Sequence, residues 1–264
     1  MQNTQVVTGH ARRDTWMPTG FTGTAVEDTA LDAETMGPEL DEVPDTIFFI
    51  KDTEGRYTYA NLTLVRRLGF THRDEVIGRN DLELYPDALG SSHPRQDERV
   101  LRGETIENDL QVQVLPNYDS GWCLTHKRPL QVGGKVRGII GSAQDVEAPD
   151  ASKPCPASLR HVFDYLHEHY TESVRVYTLA EMAGLSMTQL DRHFRSRYRL
   201  TPQQMLTRLR IDSAMKLLRG RDSMSSISLA CGFADQSAFT RQFKATVGMT
   251  PRNYRATVLA AANS

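Results

Sequence analysis

Hydrophobic positions follow two different periods along the chain, and the change falls near residue 157. Before that point, short apolar runs bounded by turn residues predict five strands. These runs cover residues 47–51, 57–60, 107–115, 121–130 and 136–144. Beyond it, apolar residues repeat at helical spacing with no strand-like run between them, beginning with Leu159, Val162, Phe163 and Leu166. The pattern predicts a five-stranded antiparallel sheet with flanking helices, an α+β domain, followed by an all-α domain.

Composition divides the chain at the same place. Residues 147–156, EAPDASKPCP, contain three prolines and no apolar pattern, which predicts a linker. We therefore expect a flexible leader over 1–39, an α+β domain over 40–146, a helical domain over 157–257 and a tail over 258–264.

Net charge also differs between the two parts. The whole chain has 31 Lys and Arg against 33 Asp and Glu, a net charge of −2. Residues 1–154 hold 16 basic and 25 acidic side chains, a net −9, whereas residues 155–264 hold 15 and 8, a net +7. A basic helical module next to an acidic one favours nucleic acid as the partner of the basic module.

The helical part repeats its own sequence. LAEMAGL at 179–185 aligns with ISLACGF at 227–233 at an offset of 48 residues, and the Thr-Pro pairs further on align at an offset of 49. A short helix, a glycine turn and a second helix in each copy predict two helix-turn-helix units. Capping boxes at Thr178, Ser186 and Thr201 predict three helix starts. The helix between the copies would span roughly 25 Å, near the ~34 Å spacing of successive major grooves.

Two strings in this repeat carry a family resemblance: LAEMAGLSMTQLDRHFRSRYRLTPQQMLTRLRIDSAMKLL and CGFADQSAFTRQFKATVGMTPRNYR. Residues 157–257 resemble the DNA-binding domain of the AraC/XylS family of bacterial transcription regulators. Ser228 stands where the family usually has alanine, and the turn at 198–200 lacks the family's usual glycine. The resemblance implies binding to double-stranded promoter DNA, contact with RNA polymerase and activation of transcription.

Helical phase indicates which side chains would read DNA. In the second helix of each unit, the pairs Leu190 with Phe194 and Phe239 with Phe243 would face the core. The predicted base-contacting positions on the opposite faces are Thr188, Asp191, Arg192, Gln236, Ser237, Thr240 and Arg241. The predicted phosphate contacts are Arg195, Lys244 and Arg252.

The first domain resembles a PAS domain, through LDEVPDTIFFIKDTEGRYTYAN, EVIGRNDLELYPD and WCLTHKRPLQVGGKVRGIIGSAQDV. This resemblance implies a sensor of a small-molecule effector, or a homodimerisation module. The candidate ligand pocket consists of Phe49, Tyr59, Leu64, Val112, Trp122, Leu124, Lys127 and Ile140. The alternative is that these residues form an ordinary hydrophobic core.

No metal site and no cofactor are predicted, but haem or flavin in the PAS domain remains an open alternative. His72, His93 and His126 are candidate axial ligands for haem. Cys123 lies in a predicted strand, whereas a flavin–cysteinyl photosensor needs its cysteine on a helix. The chain has no phosphate-binding loop, zinc-protease motif or nucleophile elbow, so we expect no enzyme. The competing hypothesis is a haem- or flavin-binding PAS protein or enzyme anchored to DNA by the second domain.

The sequence predicts neither a secretory signal peptide nor a membrane-spanning helix. No apolar run reaches the eighteen residues of a membrane-spanning helix, and the first twenty residues lack the apolar stretch of a signal peptide. Three widely spaced cysteines, Cys123, Cys155 and Cys231, do not suggest a disulfide framework. We expect a cytoplasmic protein with no membrane partner.

Overall fold

The first domain contains the predicted sheet in the computed structural model, which describes residues 39–41, 43, 45–85, 93–114, 120–146 and 156–261. The strands are β1 Thr46–Asp52, β2 Tyr57–Ala60, β3 Ile106–Val114, β4 Ser120–Val132 and β5 Lys135–Asp145. Between β2 and β3 lie α1 Leu62–Arg67, a 3-10 turn Arg73–Glu75, α2 Asp81–Leu84 and α3 His93–Leu101. Nearly all of the predicted leader, most of the predicted linker and the last three residues of the predicted tail lie outside the described residues.

All strand pairs in the sheet are antiparallel, in the order β2-β1-β5-β4-β3, which confirms the predicted five-stranded sheet. Antiparallel partners share a face, so the register places Phe49, Gly141 and Lys127 side by side on one face. A Cβ at Gly141 would lie 2.3 Å from the Phe49 ring. Glycine therefore allows the Phe49 ring to lie across β5.

The two faces of the sheet contact different parts of the chain. The inner face carries Lys51 and Lys127, whose ammonium groups pair with carboxylates on α2 and α3. The outer face carries Leu110, Trp122 and Leu124, which are buried in one hydrophobic cluster with the helical module. Because successive side chains of a strand alternate between faces, β3 and β4 contribute to both environments.

The second domain is helical throughout its described residues, as predicted. Its helices are α4 Ala157–His169, α5 Val176–Ala183, α6 Met187–Tyr198, α7 Pro202–Leu217, α8 Met224–Ala230, α9 Gln236–Val247 and α10 Pro251–Ala261. The pairs α5–α6 and α8–α9 are the two helix-turn-helix units. Among the described residues, no helix has both the length and the apolar character needed to cross a bilayer.

Two of the three predicted capping boxes begin helices. The Ser186 hydroxyl accepts from the Gln189 amide while the Gln189 side chain accepts from the Ser186 amide, and Thr201 does the same with Gln204. The prediction at Thr178 is wrong, because Thr178 lies inside α5, which begins earlier, after Arg175. Arg175 has the extended cap conformation without a side-chain cap bond. The chain therefore becomes helical before it reaches Thr178, and the cap sequence lies within the helix.

The turn that lacks the family's glycine keeps the glycine conformation. Arg199 follows α6 with a φ of 57°, and Gly248, its equivalent in the second unit, follows α9 with a φ of 84°. A left-handed conformation is strained for any residue with a Cβ, by about 1–2 kcal/mol. The first unit thus keeps the left-handed turn of the second unit, although Arg199 is strained there.

Helix α7 holds the two units together. Its side chains Met205, Ile211 and Ala214 are fully buried, and the helix contacts α4, α6 and α8. At 1.5 Å per residue, its 16 residues span about 24 Å. The second helices of the two units are therefore connected through one rigid element.

The turn glycines of the two units provide a matched stability test. Gly184 and Gly232 have φ values of +66° and +77°, but only at Gly232 would an added Cβ meet backbone, that of Thr171, at 2.7 Å. Gly184→Ala should lower the free energy of unfolding by about 1–2 kcal/mol through backbone strain alone. Gly232→Ala should lower it further, because Thr171 must also move. Urea unfolding, monitored by far-ultraviolet circular dichroism, measures both variants. Equal unfolding midpoints would contradict the close approach of Gly232 to Thr171.

Candidate nucleic-acid interface and internal cavity

The first unit presents a polar face on α6. Leu190 and Phe194 are fully buried, which fixes the rotation of the helix about its axis. On the other side, Thr188, Arg192 and Arg195 are exposed and Asp191 is half-buried. The predicted reading positions of the first unit therefore lie on one accessible face.

The second unit repeats this arrangement on α9. Phe239 and Phe243 are fully buried. Gln236, Ser237 and Arg241 are exposed, whereas Thr240 and Lys244 are half-buried, and Arg252 is exposed on α10.

Asp235 is the N-cap residue of α9 and was not among the predicted functional residues. Its carboxylate accepts from the Ala238 amide at 2.7 Å, so it caps the helix. The signal in the sequence was the single residue inserted near Asp235 in the second copy, where the offset changes from 48 to 49. Asp235 positions the first turn of α9, where Gln236 and Ser237 lie.

An internal cavity lies between the inner face of the sheet and the helices that cover it. It has about 40 Å³ of space for the centres of water-sized molecules, enough for a few waters. Its lining is Ile47, Phe49, Lys51, Tyr57, Leu64, Tyr85, His93, Gln111, Val112, Gln113, Cys123, Thr125, Lys127 and Ala143. Apolar walls with one polar end are typical of small-molecule sites.

Two buried lysines form the polar end of this cavity, and two buried carboxylates pair with them. Lys51 Nζ lies 2.5 Å from Asp81 Oδ2 and 2.7 Å from Asp97 Oδ2, and Lys127 Nζ lies 2.7 Å from Asp97 Oδ1. The Tyr57 hydroxyl donates to Asp81 at 2.6 Å. All four charged side chains are at most 5% exposed. We call them the charge quartet.

Ion pairing opposes the effect of burial on the pKa values of Asp81, Asp97 and Lys51. Burial alone would raise the pKa of Asp81, but Lys51 and neighbouring cations hold that pKa well below its usual value. Burial likewise opposes ionisation of Asp97, and Lys127 and Lys51 lower its pKa. Burial would lower the pKa of Lys51, yet Asp81 and Asp97 raise it. Two positive and two negative charges cancel, so the polar end has hydrogen-bonding groups without net charge.

The structure divides the eight predicted pocket residues between the faces of the sheet. Phe49, Leu64, Val112 and Lys127 line the cavity. The other four do not line it: Tyr59, Trp122, Leu124 and Ile140. They lie on β2, β4 and β5, where strand alternation turns their side chains to the outer face of the sheet. The buried carboxylates Asp81 and Asp97 were not predicted.

The residues considered for cofactors are dispersed. His93 lines the cavity, with Nδ1 3.8 Å from Asp81 Oδ1, whereas His72 and His126 do not line it. Cys123 also lines it, and burial raises the pKa of its thiol to about 11, which keeps it protonated at neutral pH. Within the part of the chain that the structure describes, no cluster of three His, Cys, Asp or Glu residues could hold a metal ion.

The outer face of the sheet packs directly on helix α7. Trp122 Nε1 donates to Asp212 Oδ1 at 2.8 Å, and the Arg208 guanidinium lies 5.6 Å from the centre of the Trp122 ring. Gln204 Nε2 donates to the Asn108 carbonyl at 2.7 Å. These residues of α7 recur every four positions, so they form one stripe facing the sheet. Sequence patterns give no signal for such contacts between distant segments.

Both halves of the chain match known domain families. Residues 179–257 match the model of a helix-turn-helix domain, and residues 40–151 match the model of the PAS fold. The transcriptional activator RhaS of Escherichia fergusonii is 38% identical over 100 residues, covering 38% of this chain and 36% of that protein. RhaS of Salmonella schwarzengrund is 37% identical over 171 residues, covering 54% of this chain and 62% of that protein. The chain thus spans less than two thirds of the length of these relatives.

Solved structures also resemble parts of the chain. The DNA-binding domain of AdpA, a global transcriptional factor, in complex with a target DNA has 33% identity and a TM-score of 0.39, covering 41% of this chain and 99% of that one. A VqmA–ligand–DNA complex from Vibrio cholerae has 19% identity and a TM-score of 0.40, covering 70% of this chain and 88% of that one.

The charge quartet makes a prediction about stability. Asp97→Asn should lower the free energy of unfolding by about 3–5 kcal/mol at pH 7, because Lys127 loses its buried counter-ion. Glu98→Gln on the same helix should change stability little, since the Glu98 pair with Arg102 is exposed. Urea unfolding followed by circular dichroism measures both.

The pH dependence of the same variant has a definite sign. The folded-state pKa of Asp97 is lowered, so its contribution to stability is present above its unfolded pKa of about 4. That contribution is lost as the pH falls through the folded value. The stability gap between the wild type and Asp97→Asn should narrow below about pH 4. A gap of constant size down to pH 2 would show that Asp97 is not stabilised as a carboxylate.

Proposed function

Since the chain joins a PAS-fold domain to an AraC-type helix-turn-helix domain, we propose that it is a transcriptional regulator that binds promoter DNA in a sequence-specific manner. The observation that carries the proposal is the common phase of the two units. In each, a buried apolar pair on the second helix turns polar side chains to solvent at matching positions. The net charge of +7 in residues 155–264 supports attraction to the phosphate backbone.

We assign base reading to Thr188, Asp191 and Arg192 on α6 and to four residues of α9. The four are Gln236, Ser237, Thr240 and Arg241. Arg195, Lys244 and Arg252 neutralise phosphates, which positions the helices without selecting a sequence. The accessible faces of both helices support these roles.

In this proposal the PAS domain is the sensory part. The cavity offers apolar walls and the spare N–H donors of Lys127, which donates to one acceptor among the described residues. An effector there would act by having unequal affinities for two arrangements of the domains. Homodimerisation through the PAS domain, contact with RNA polymerase, activation and a cytoplasmic location complete the proposal. The comparisons give no support to the alternative of a haem or flavin enzyme anchored to DNA.

Arg241→Ala tests the base-reading role. Removal of a bidentate donor to guanine should weaken binding to the preferred duplex by about 1–3 kcal/mol and relax preference at one base position. Selection from random duplexes with the full chain measures both effects. Arg102→Ala, which removes an equal charge from an exposed site just after α3, serves as the control. If Arg241→Ala and the control selected the same sequences as the wild type, Arg241 would not read a base.

Lys244→Ala tests the phosphate role. The variant should bind all duplexes more weakly by a similar factor, and the slope of log affinity against log salt should fall in magnitude by about one. Lys135→Ala, an exposed lysine of the sheet domain, should leave the slope unchanged. A loss confined to one sequence would instead make Lys244 a base-contacting residue.

A further inference from the structure

The packing of the sheet on the DNA-binding module offers a control device that the proposed function does not contain. Trp122 is 8% exposed, and its indole N–H is bonded to the half-buried Asp212 of α7. A second bond joins Gln204 to the backbone of β3, and a weaker one joins Arg208 Nη1 to the Val146 carbonyl at 3.4 Å. Together with the shared hydrophobic cluster, these contacts form a specific docking surface.

The docked sheet lies against the helix that carries part of the reading face. Strand β3 contacts α9, and it also bonds to α7 through the Asn108 carbonyl. On α9, Lys244 is half-buried, whereas its equivalent on α6, Arg195, is exposed. DNA that binds α9 would therefore lie close to β3, the edge strand of the sheet.

The net charges of the two domains favour the docked arrangement over DNA binding. Residues 40–146 hold 13 basic and 17 acidic side chains, a net −4, whereas residues 157–257 hold 15 and 8, a net +7. Opposite charges favour docking, and a negative domain held against the basic module weakens its attraction for DNA phosphates within the Debye length of about 8 Å. Docking and DNA binding thus compete.

The strands that dock are the strands that line the cavity. On β4, Cys123, Thr125 and Lys127 face the cavity, while Trp122 and Leu124 alternate with them on the outer face. A change in backbone position at the cavity therefore moves the docking residues directly.

We infer that the Trp122–Asp212 contact is an autoinhibitory latch, in which the outer face of the PAS sheet restrains α7 and α9 in a state of low DNA affinity. The inference rests on the proposed function, because it requires DNA binding by α6 and α9. Release of the latch frees both reading helices from the acidic domain. The latch is a positioning contact, since neither side chain belongs to the reading face.

Two variants of the full chain open the latch from opposite sides. Trp122→Phe keeps an aromatic ring on the outer face but loses the N–H donor, and Asp212→Asn weakens the acceptor. Each should bind a duplex selected with the wild type about fivefold or more tightly. The double variant should gain no more than the stronger single variant, because both break one contact. Asp222→Asn, an equal charge change at an exposed residue of the same module, measures the purely electrostatic gain.

A spectroscopic readout separates the latch from a general structural role. The chain has two tryptophans, so Trp16→Phe leaves Trp122 as the sole reporter. Saturating duplex should shift its emission to the red, since reciprocity requires DNA to favour release. Unchanged emission on DNA binding, or latch variants that bind no more tightly than Asp222→Asn, would overturn the inference. Failure of the wild type to select any duplex would overturn the proposed function instead.

Discussion

Burial of one apolar stripe determines which side chains each helix-turn-helix unit offers to a partner. Phe239 and Phe243 on α9, like Leu190 and Phe194 on α6, have no exposed surface. Any rotation of either helix would bring these large side chains into water, at about 25 cal/mol per Å² of apolar surface. The polar face opposite them is thus fixed without any contact among the polar residues themselves. The polar residues of this face can vary freely on such a scaffold, because stability depends on the buried stripe.

Buried side chains also fix the orientation of the strands, in which every second side chain lies on the same face. Strands β3 and β4 bury both faces, one against a cavity and one against α7. A strand buried on both sides cannot slip by one residue without exchanging Trp122 and Leu124 with Cys123 and Thr125. Register is therefore strongly specified, and it ties the environment of the cavity to the environment of the helical module. This arrangement gives the sheet domain a short mechanical route to the helical domain.

Local periodicity explains which features could be predicted. Strand alternation, helical spacing and the duplicated glycine turn all depend on neighbouring residues, and they gave the sheet, the helical domain and the two units. Periodicity does not show which face of a sheet will be covered by which element, so Tyr59 and Ile140 were assigned to the cavity together with Phe49. The partners Lys51 and Asp97 are 46 positions apart, and Trp122 and Asp212 are 90 apart. Only the assembled fold brings such groups within hydrogen-bonding distance.

Electrostatics then distinguishes the two interior sites. The charge quartet is balanced and buried, so removal of any one member leaves a net charge in the interior. The contact between the domains is different, because Asp212 is half-buried, burial raises its pKa, and its strongest bond is to a neutral indole. The quartet therefore suits a permanent core. The interdomain contact has fewer buried charges, so in our proposal it is the contact that is released.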